Sequence, residues 1–142
     1  MRVLILLFPY IMIGQNIDLE RLFERSVLNK LSCDSLIEYC QQKESTMHDA
    51  YLGAALMLQA KHKTNLIKKW KSFQNGKNQL ETTINNNPKN KKIRLIRYYI
   101  QNNIPKFLNY NNNIQEDEKF ILEFGNKKQK SVLKKIKHEF SN

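Results

Sequence analysis

A chain of 142 residues, 41% of them hydrophobic, is long enough to form one domain around its own core. Four glycines and three prolines leave too little turn chemistry for an all-β fold, and plentiful Leu, Ile, Lys, Glu and Gln beside scarce Val favour helix. The formal net charge of +11 points either to an anionic partner or to a lysine-rich solubilising surface.

The first fourteen residues stand apart. Arg2 supplies a short positive start, residues 3–13 form an apolar run interrupted only by Pro9 and Tyr10, and Gly14 precedes a return to polar sequence at Gln15-Asn16. The run is too short to span a bilayer, and its flanks suit a secretory signal peptide cleaved after Gly14. Met12 occupies a position where a small residue is preferred, and a buried N-terminal strand or helix is the structural alternative. No cysteine follows the run directly, which argues against a lipid anchor. The expectation is an exported protein, periplasmic or secreted, with residues 15–142 forming a single all-helical domain and no membrane span after processing.

Residues 17–31 carry Leu19, Leu22, Phe23, Val27, Leu28 and Leu31 at helical spacing, with Asp18 and Glu20 in the first turn where the helix dipole favours acids. Ser32 is the expected cap of a second helix reaching Gln42, with Leu36, Ile37 and Cys40 inward. Ser45-Thr46 opens a third helix to Lys63, in which the small run Gly53-Ala54-Ala55 invites close packing. Glycine inside a helix costs about 1 kcal/mol against alanine, so a packing reason is expected there. Thr64-Asn65 breaks the pattern. A fourth helix covers residues 66–84, with Ile67, Trp70, Phe73, Lys77, Leu80 and Ile84 near one side and a possible kink at Gly76. Asn87-Pro88 ends it, because the residue before proline is pushed out of the helical region. Residues 90–102 form a fifth helix with Ile93, Ile96 and Ile100 on one stripe and Leu95 and Tyr99 beside them. After Pro105 comes an aromatic loop of Phe107, Leu108 and Tyr110. Asn113 caps a sixth helix, residues 114–124, with Phe120, Ile121 and Phe124 inward. Gly125 suits the left-handed position that follows a helix, and residues 127–140 form a seventh, basic amphipathic helix. The asparagine runs reflect composition bias in part, and only their positions between periodic segments read as loop signals. The predicted fold class is all-α, built from about six to seven helices in antiparallel hairpins.

Charge is uneven. Residues 15–60 hold four Lys/Arg against seven Asp/Glu, and residues 61–142 hold nineteen against six. The candidate anion-facing patch is Lys127, Lys128, Lys130, Lys134, Lys135 and Lys137, with phosphate contacts as its mode and salt sensitivity as its signature. Arg94 and Arg97, three apart on the fifth helix, pair in the structural reading with Asp117 or Glu116 on the sixth, fixing how the two helices cross; the functional reading is an anion clamp. Cys33 and Cys40, placed on one continuous helix, lie about 10 Å apart and cannot bridge, so two buried free thiols are expected. His48, His62 and His138 show no metal-ligand spacing, and Glu116-Asp117-Glu118 points in different directions on a helix. No enzyme chemistry, cofactor or metal is expected.

Gly76, Leu80, Thr83 and Pro88 stand at the offsets where the second helix of a tetratricopeptide repeat carries a small, a bulky and a second small residue before a proline, with Thr83 in place of the usual alanine. Leu52-Gly53 matches the Leu-Gly pair of the first helix, with Leu56 where an aromatic is usual. The chain thus resembles one degenerate tetratricopeptide repeat. Leu52-Gly53 lies too far upstream for the standard repeat length, so residues 66–73 read as an insertion. The arrangement of residues 51–55, 88–94 and 105–110 also resembles small exported proteins of Bacteroidetes-type bacteria. These resemblances imply an address and a fold, and they carry no activity. The functional expectation is a protein-interaction or scaffold module whose partner is a protein or a cell-envelope polymer, with a basic binder of nucleic acid or anionic surface polymers as the alternative.

Overall fold

Polar caps cut the chain into helices. In the computed structural model, which describes residues 18–141, the side chains of Asp18, Asn29, Ser45, Asn65, Asn90 and Asn126 each accept a backbone N–H from the first turn that follows. Asn126 and Gln129 close a reciprocal capping box. The elements are α1 (Leu19–Leu28), α2 (Lys30–Gln41), α3 (Thr46–Gln59), α4 (Leu66–Asn86), α5 (Lys91–Asn103), α6 (Ile114–Phe124) and α7 (Lys127–Phe140), with single 3-10 turns at Ala60–His62 and Lys106–Leu108. No strand occurs among the described residues. The expected signal segment, residues 1–14, lies outside them.

Several details differ from the sequence reading. The α1–α2 border falls at Asn29, not Ser32, because the Asn29 carboxamide accepts the Ser32 N–H at 2.8 Å. Leu31 thereby moves into α2 and is exposed, not inward. Gly125 is extended (φ −72°), and the left-handed residue is Asn109 (φ 49°). Glycine is required at 125 for a different reason: a Cβ there would sit 2.4 Å from the Ile121 carbonyl oxygen. Asn113 occupies the cap position of α6 without capping, since its side chain engages Gln101 and Glu116 instead. Ile67, Trp70 and Phe124, expected inward, are exposed. Residues 66–73 are the opening turns of α4, which is continuous through Gly76 and ends two residues later than expected, at Asn86.

Consecutive helices run antiparallel. Cys33 near the start of α2 meets Ala55 late in α3, while Tyr39 near the end of α2 meets His48 early in α3. Ser72 of α4 reaches the Leu56 carbonyl and Gln79 reaches Asp49. Arg97 of α5 meets Asp117 of α6, Gln101 meets Asn113, and Lys137 of α7 meets Glu118 of α6. The odd-numbered helices therefore share one direction and the even-numbered ones the other.

The tightest contact is between α3 and α4. A Cβ built on Gly76 would come 2.5 Å from the Gly53 carbonyl oxygen and 2.7 Å from the Met57 nitrogen, and one built on Gly53 would come 2.7 Å from the Leu80 nitrogen. The two backbones touch because neither residue has a side chain. The main core gathers Leu36, Ala54, Phe73, Leu80, Ile93 and Ile100 around this crossing, and a smaller cluster of Leu95, Tyr98, Ile121, Leu133 and Ile136 joins α5, α6 and α7. Gly76→Ala is expected to lower stability by about 1–3 kcal/mol through overpacking, although alanine is the better helix former. Urea denaturation checks this, and an unchanged midpoint would mean that the helices do not meet at this glycine.

Candidate functional site

α1 and α7 both lie along α5 in its own direction: Glu20 of α1 bonds Lys92 of α5 at 2.8 Å, and Phe23 packs edge-on against Tyr99 with ring centroids 5.6 Å apart. At the near end Glu20 also reaches Lys128 of α7 at 3.1 Å. Beyond that bridge a groove of about 540 Å³ lies between the two helices, and Phe140 at the end of α7 packs edge-on against Tyr99 with centroids 5.8 Å apart. Leu95, Ile96 and Tyr99 form its floor, Phe23 and Val27 one wall, and Val132 and Ile136 the other. Glu24, Lys135 and Glu139 stand on the rim, so an apolar trough carries charges of both signs along its edges. Hydrogen bonding from Lys92, reinforced by Lys128 against the opposing effect of burial, holds the Glu20 carboxyl below the usual range. The bridge is therefore intact at neutral pH.

The two arginines singled out in the sequence are brought together with Asp117. Arg97 grips it with two parallel bonds, Nε to Oδ2 at 2.7 Å and Nη2 to Oδ1 at 2.8 Å, and its third nitrogen reaches Glu81 at 2.9 Å. Arg94 donates to Asp117 (2.9 Å), Glu116 (2.8 Å) and the Pro88 carbonyl (2.7 Å), and its guanidinium lies 4.3 Å from the centre of the Phe120 ring. The Tyr110 hydroxyl donates to Glu81. Asp117 is fully buried and Arg97 nearly so. Burial works against the Arg97 charge, but Asp117 and Glu81 outweigh it and hold the group protonated. Each Asp117 oxygen already accepts from a guanidinium and all three nitrogens of Arg97 are engaged, so the cluster ties α4, α5 and α6 together. Glu81 and Tyr110 belong to it although sequence spacing did not single them out, because they come from a different helix and a loop.

The six lysines of α7 do not form one patch. At seven-residue spacing they fall into three rows, Lys127 with Lys134, Lys128 with Lys135, and Lys130 with Lys137, spread over the solvent half of the helix. Lys128 is engaged by Glu20 and Lys137 by Glu118, while Lys135 faces the groove. Cys33 and Cys40 are buried free thiols, both pushed up to about 11 chiefly by burial. Among the described residues no group of three or more His, Cys, Asp and Glu side chains is placed to hold a metal ion. A helical groove was expected from the sequence, but not its place between α1 and α7 or the residues that line it. Its signal is the width of the α5 apolar face, where Leu95 and Tyr99 extend the Ile93–Ile96–Ile100 stripe beyond what one neighbouring helix covers.

No family model, curated protein or solved structure matches the chain.

Arg97→Leu leaves a buried carboxylate without its main partner and is expected to cost about 3–5 kcal/mol. Arg97→Leu combined with Asp117→Leu is expected to cost less than the sum of the two single changes, by at least about 1 kcal/mol. Equilibrium unfolding of the three variants measures the coupling, and additive losses would show that the pair does not act as a unit.

Proposed function

We propose that the protein is an exported, tetratricopeptide-like interaction module that receives a helix of a partner protein in the groove between α1 and α7. The observation that carries this reading is the groove, a trough of about 540 Å³ with an aromatic and aliphatic floor, flanked by two helices running in the same direction over a third. That space is what a further helix would fill in a layered helical array. The fitting occupant is an amphipathic helix with an apolar stripe at i, i+3, i+4 and i+7 and flanking charges of both signs, which meet Glu24 on the α1 rim and Lys135 and Glu139 on the α7 rim. The Gly53–Gly76 crossing and the run of antiparallel neighbours support the tetratricopeptide-like part of the reading, and residues 1–14 support the address. The buried Asp117 carboxylate, gripped on both oxygens by arginines, suits support of the helix packing more than chemistry. A second reading, binding of nucleic acid or another anionic polymer, draws on Lys127, Lys130 and Lys134, which enter no ion pair among the described residues.

A photo-cross-linking residue at Val132, compared with one at Lys119 on the outer side of α6, tests the groove in the native envelope. The expected result is a discrete adduct from position 132 alone, on protein beginning at Gln15. A synthetic peptide of the cross-linked segment should then bind helically and lose about tenfold or more in affinity to the Val132→Glu variant. Equal cross-linking from both positions, or peptide binding indifferent to Val132→Glu, would contradict the proposal.

A further inference from the structure

Because the odd-numbered helices share one direction, their C-terminal ends and the connections that follow them gather at one end of the array. Most of the exposed large hydrophobic side chains are there. Leu28 and Leu31 flank the α1–α2 corner. Leu66, Ile67 and Trp70 lie on the opening turns of α4, the first two 78% and the tryptophan 53% exposed, and Phe107 tops the connection between α5 and α6. The three tips adjoin one another. The Lys61 ammonium donates to the Val27 carbonyl, joining the α3–α4 corner to the end of α1. Phe73 bridges the rings of Trp70 and Tyr110, at 6.0 and 6.3 Å, and so brings the Phe107 loop beside α4.

Around the α3–α4 and α5–α6 tips the charged side chains close in sequence have one sign. Lys61, Lys63, Lys68, Lys69 and Lys71 lie close in sequence to Leu66, Ile67 and Trp70, and no Asp or Glu occurs in the sequence between Asp49 and Glu81. Lys106 adjoins Phe107, and Lys30 stands beside Leu31. At the α1–α2 corner Asp34 is held by Lys30 and Gln59, while Glu24, one turn before Leu28, is the exposed acid on the side that faces the groove.

We propose that this end of the molecule docks on an anionic lipid bilayer surface, with the apolar tips in the headgroup–acyl boundary and the lysines against the lipid phosphates. This surface meets the groove at Leu28, which lines both, and the inference rests on the α3–α4 and α5–α6 tips, which do not line the groove. Aliphatic tips, a tryptophan at their margin and flexible lysines that can keep their amines in the headgroups are the composition that the membrane interface favours. Convex tips on three separate connections suit a flat, adaptable surface better than a complementary pocket. A second copy of the same end would bring lysines against lysines, which opposes self-association. Among the described residues no helix is long and apolar enough to cross a membrane, so the contact is peripheral.

Trp70 is the sole tryptophan of the chain, and its emission reports the patch directly. The full chain is titrated with vesicles of equimolar phosphatidylglycerol and phosphatidylcholine, and with phosphatidylcholine alone. A blue shift with the anionic vesicles only, reversed by salt, is expected. Lys68→Glu with Lys69→Glu should lower partitioning by roughly 25-fold or more, at about fivefold for each lysine lost from an anionic surface. Leu66→Ser with Ile67→Ser should abolish the shift; both side chains face solvent, and circular dichroism confirms that the variants keep their fold. An absent shift, or an equal shift with neutral vesicles, would overturn the proposal. So would a concentration-dependent shift without vesicles, which marks self-association, or vesicle sedimentation with unchanged emission, which marks binding through residues 3–13 instead.

Discussion

The contact between Gly53 and Gly76 sets the spacing of the whole structure. With no side chain on either residue, α3 and α4 approach until backbone meets backbone. Ala50, Ala54 and Ala55, themselves fully buried, keep the adjoining turns of α3 thin. A thin central helix lets α2 pack on one side, α4 on another, and α1 and α5 along a third. Phe23 of α1, Tyr51 of α3 and Tyr99 of α5 then meet around one point, with Phe23 5.4 Å from Tyr51 and 5.6 Å from Tyr99. The groove floor is built on that meeting. A bulkier α3 would push α1 and α5 apart and remove the wall against which Val27 stands.

The second half is held differently. Between α4, α5 and α6 the decisive residue is Asp117, a fully buried carboxylate gripped by two arginines. Desolvating these charges offsets most of their attraction, so such a cluster adds little net stability compared with apolar residues of the same size. Its geometry is nevertheless demanding. The fork of Arg97 fits Asp117 in one register only, and Arg94 is fixed at the same time by the Pro88 carbonyl and the Phe120 ring. The basic residues that sequence spacing offered as an anion clamp thus act inside the protein, while the lysines at the helix tips and on the solvent half of α7 remain available to partners.

Much of the fold was legible because each helix carries its own boundary marks. The start at Ser45, the break at Asn87-Pro88 and the small residues at 53 and 76 each have a local physical meaning that needs no tertiary context. Most other caps do not read as such: Asp18 falls inside the predicted first turn, nothing singles out Asn29, Asn90 or Asn126, and Ser32 and Asn113 carry the expectation instead. In a chain so rich in asparagine, a cap is hard to tell from composition. The exposed face of α4 was not legible either. Ile67 and Trp70 lead into Phe73 at three-residue steps, but these steps drift around the helix, so that Ile67 lies roughly 140° from Leu80. Ser72 already reaches Leu56 of α3, so only the last turn of α3 and the 3-10 turn lie opposite the start of α4. Its apolar side chains overshoot the core. The place of the groove escaped for a related reason, since it lies between α1 and α7, elements far apart in sequence that are bridged by Glu20 and Lys128.

The two surfaces left uncovered, an apolar groove on one side and a lysine-ringed apolar end, follow from a rigid centre with less constrained flanks. Native-state hydrogen exchange tests that centre most directly. The slowest amides are expected around Gly53 and Gly76, exchanging only through global unfolding, with α1 and α7 opening at lower free energy. Amides of α1 or α7 protected as strongly as those of α3, or fast exchange at the glycine crossing, would contradict the account.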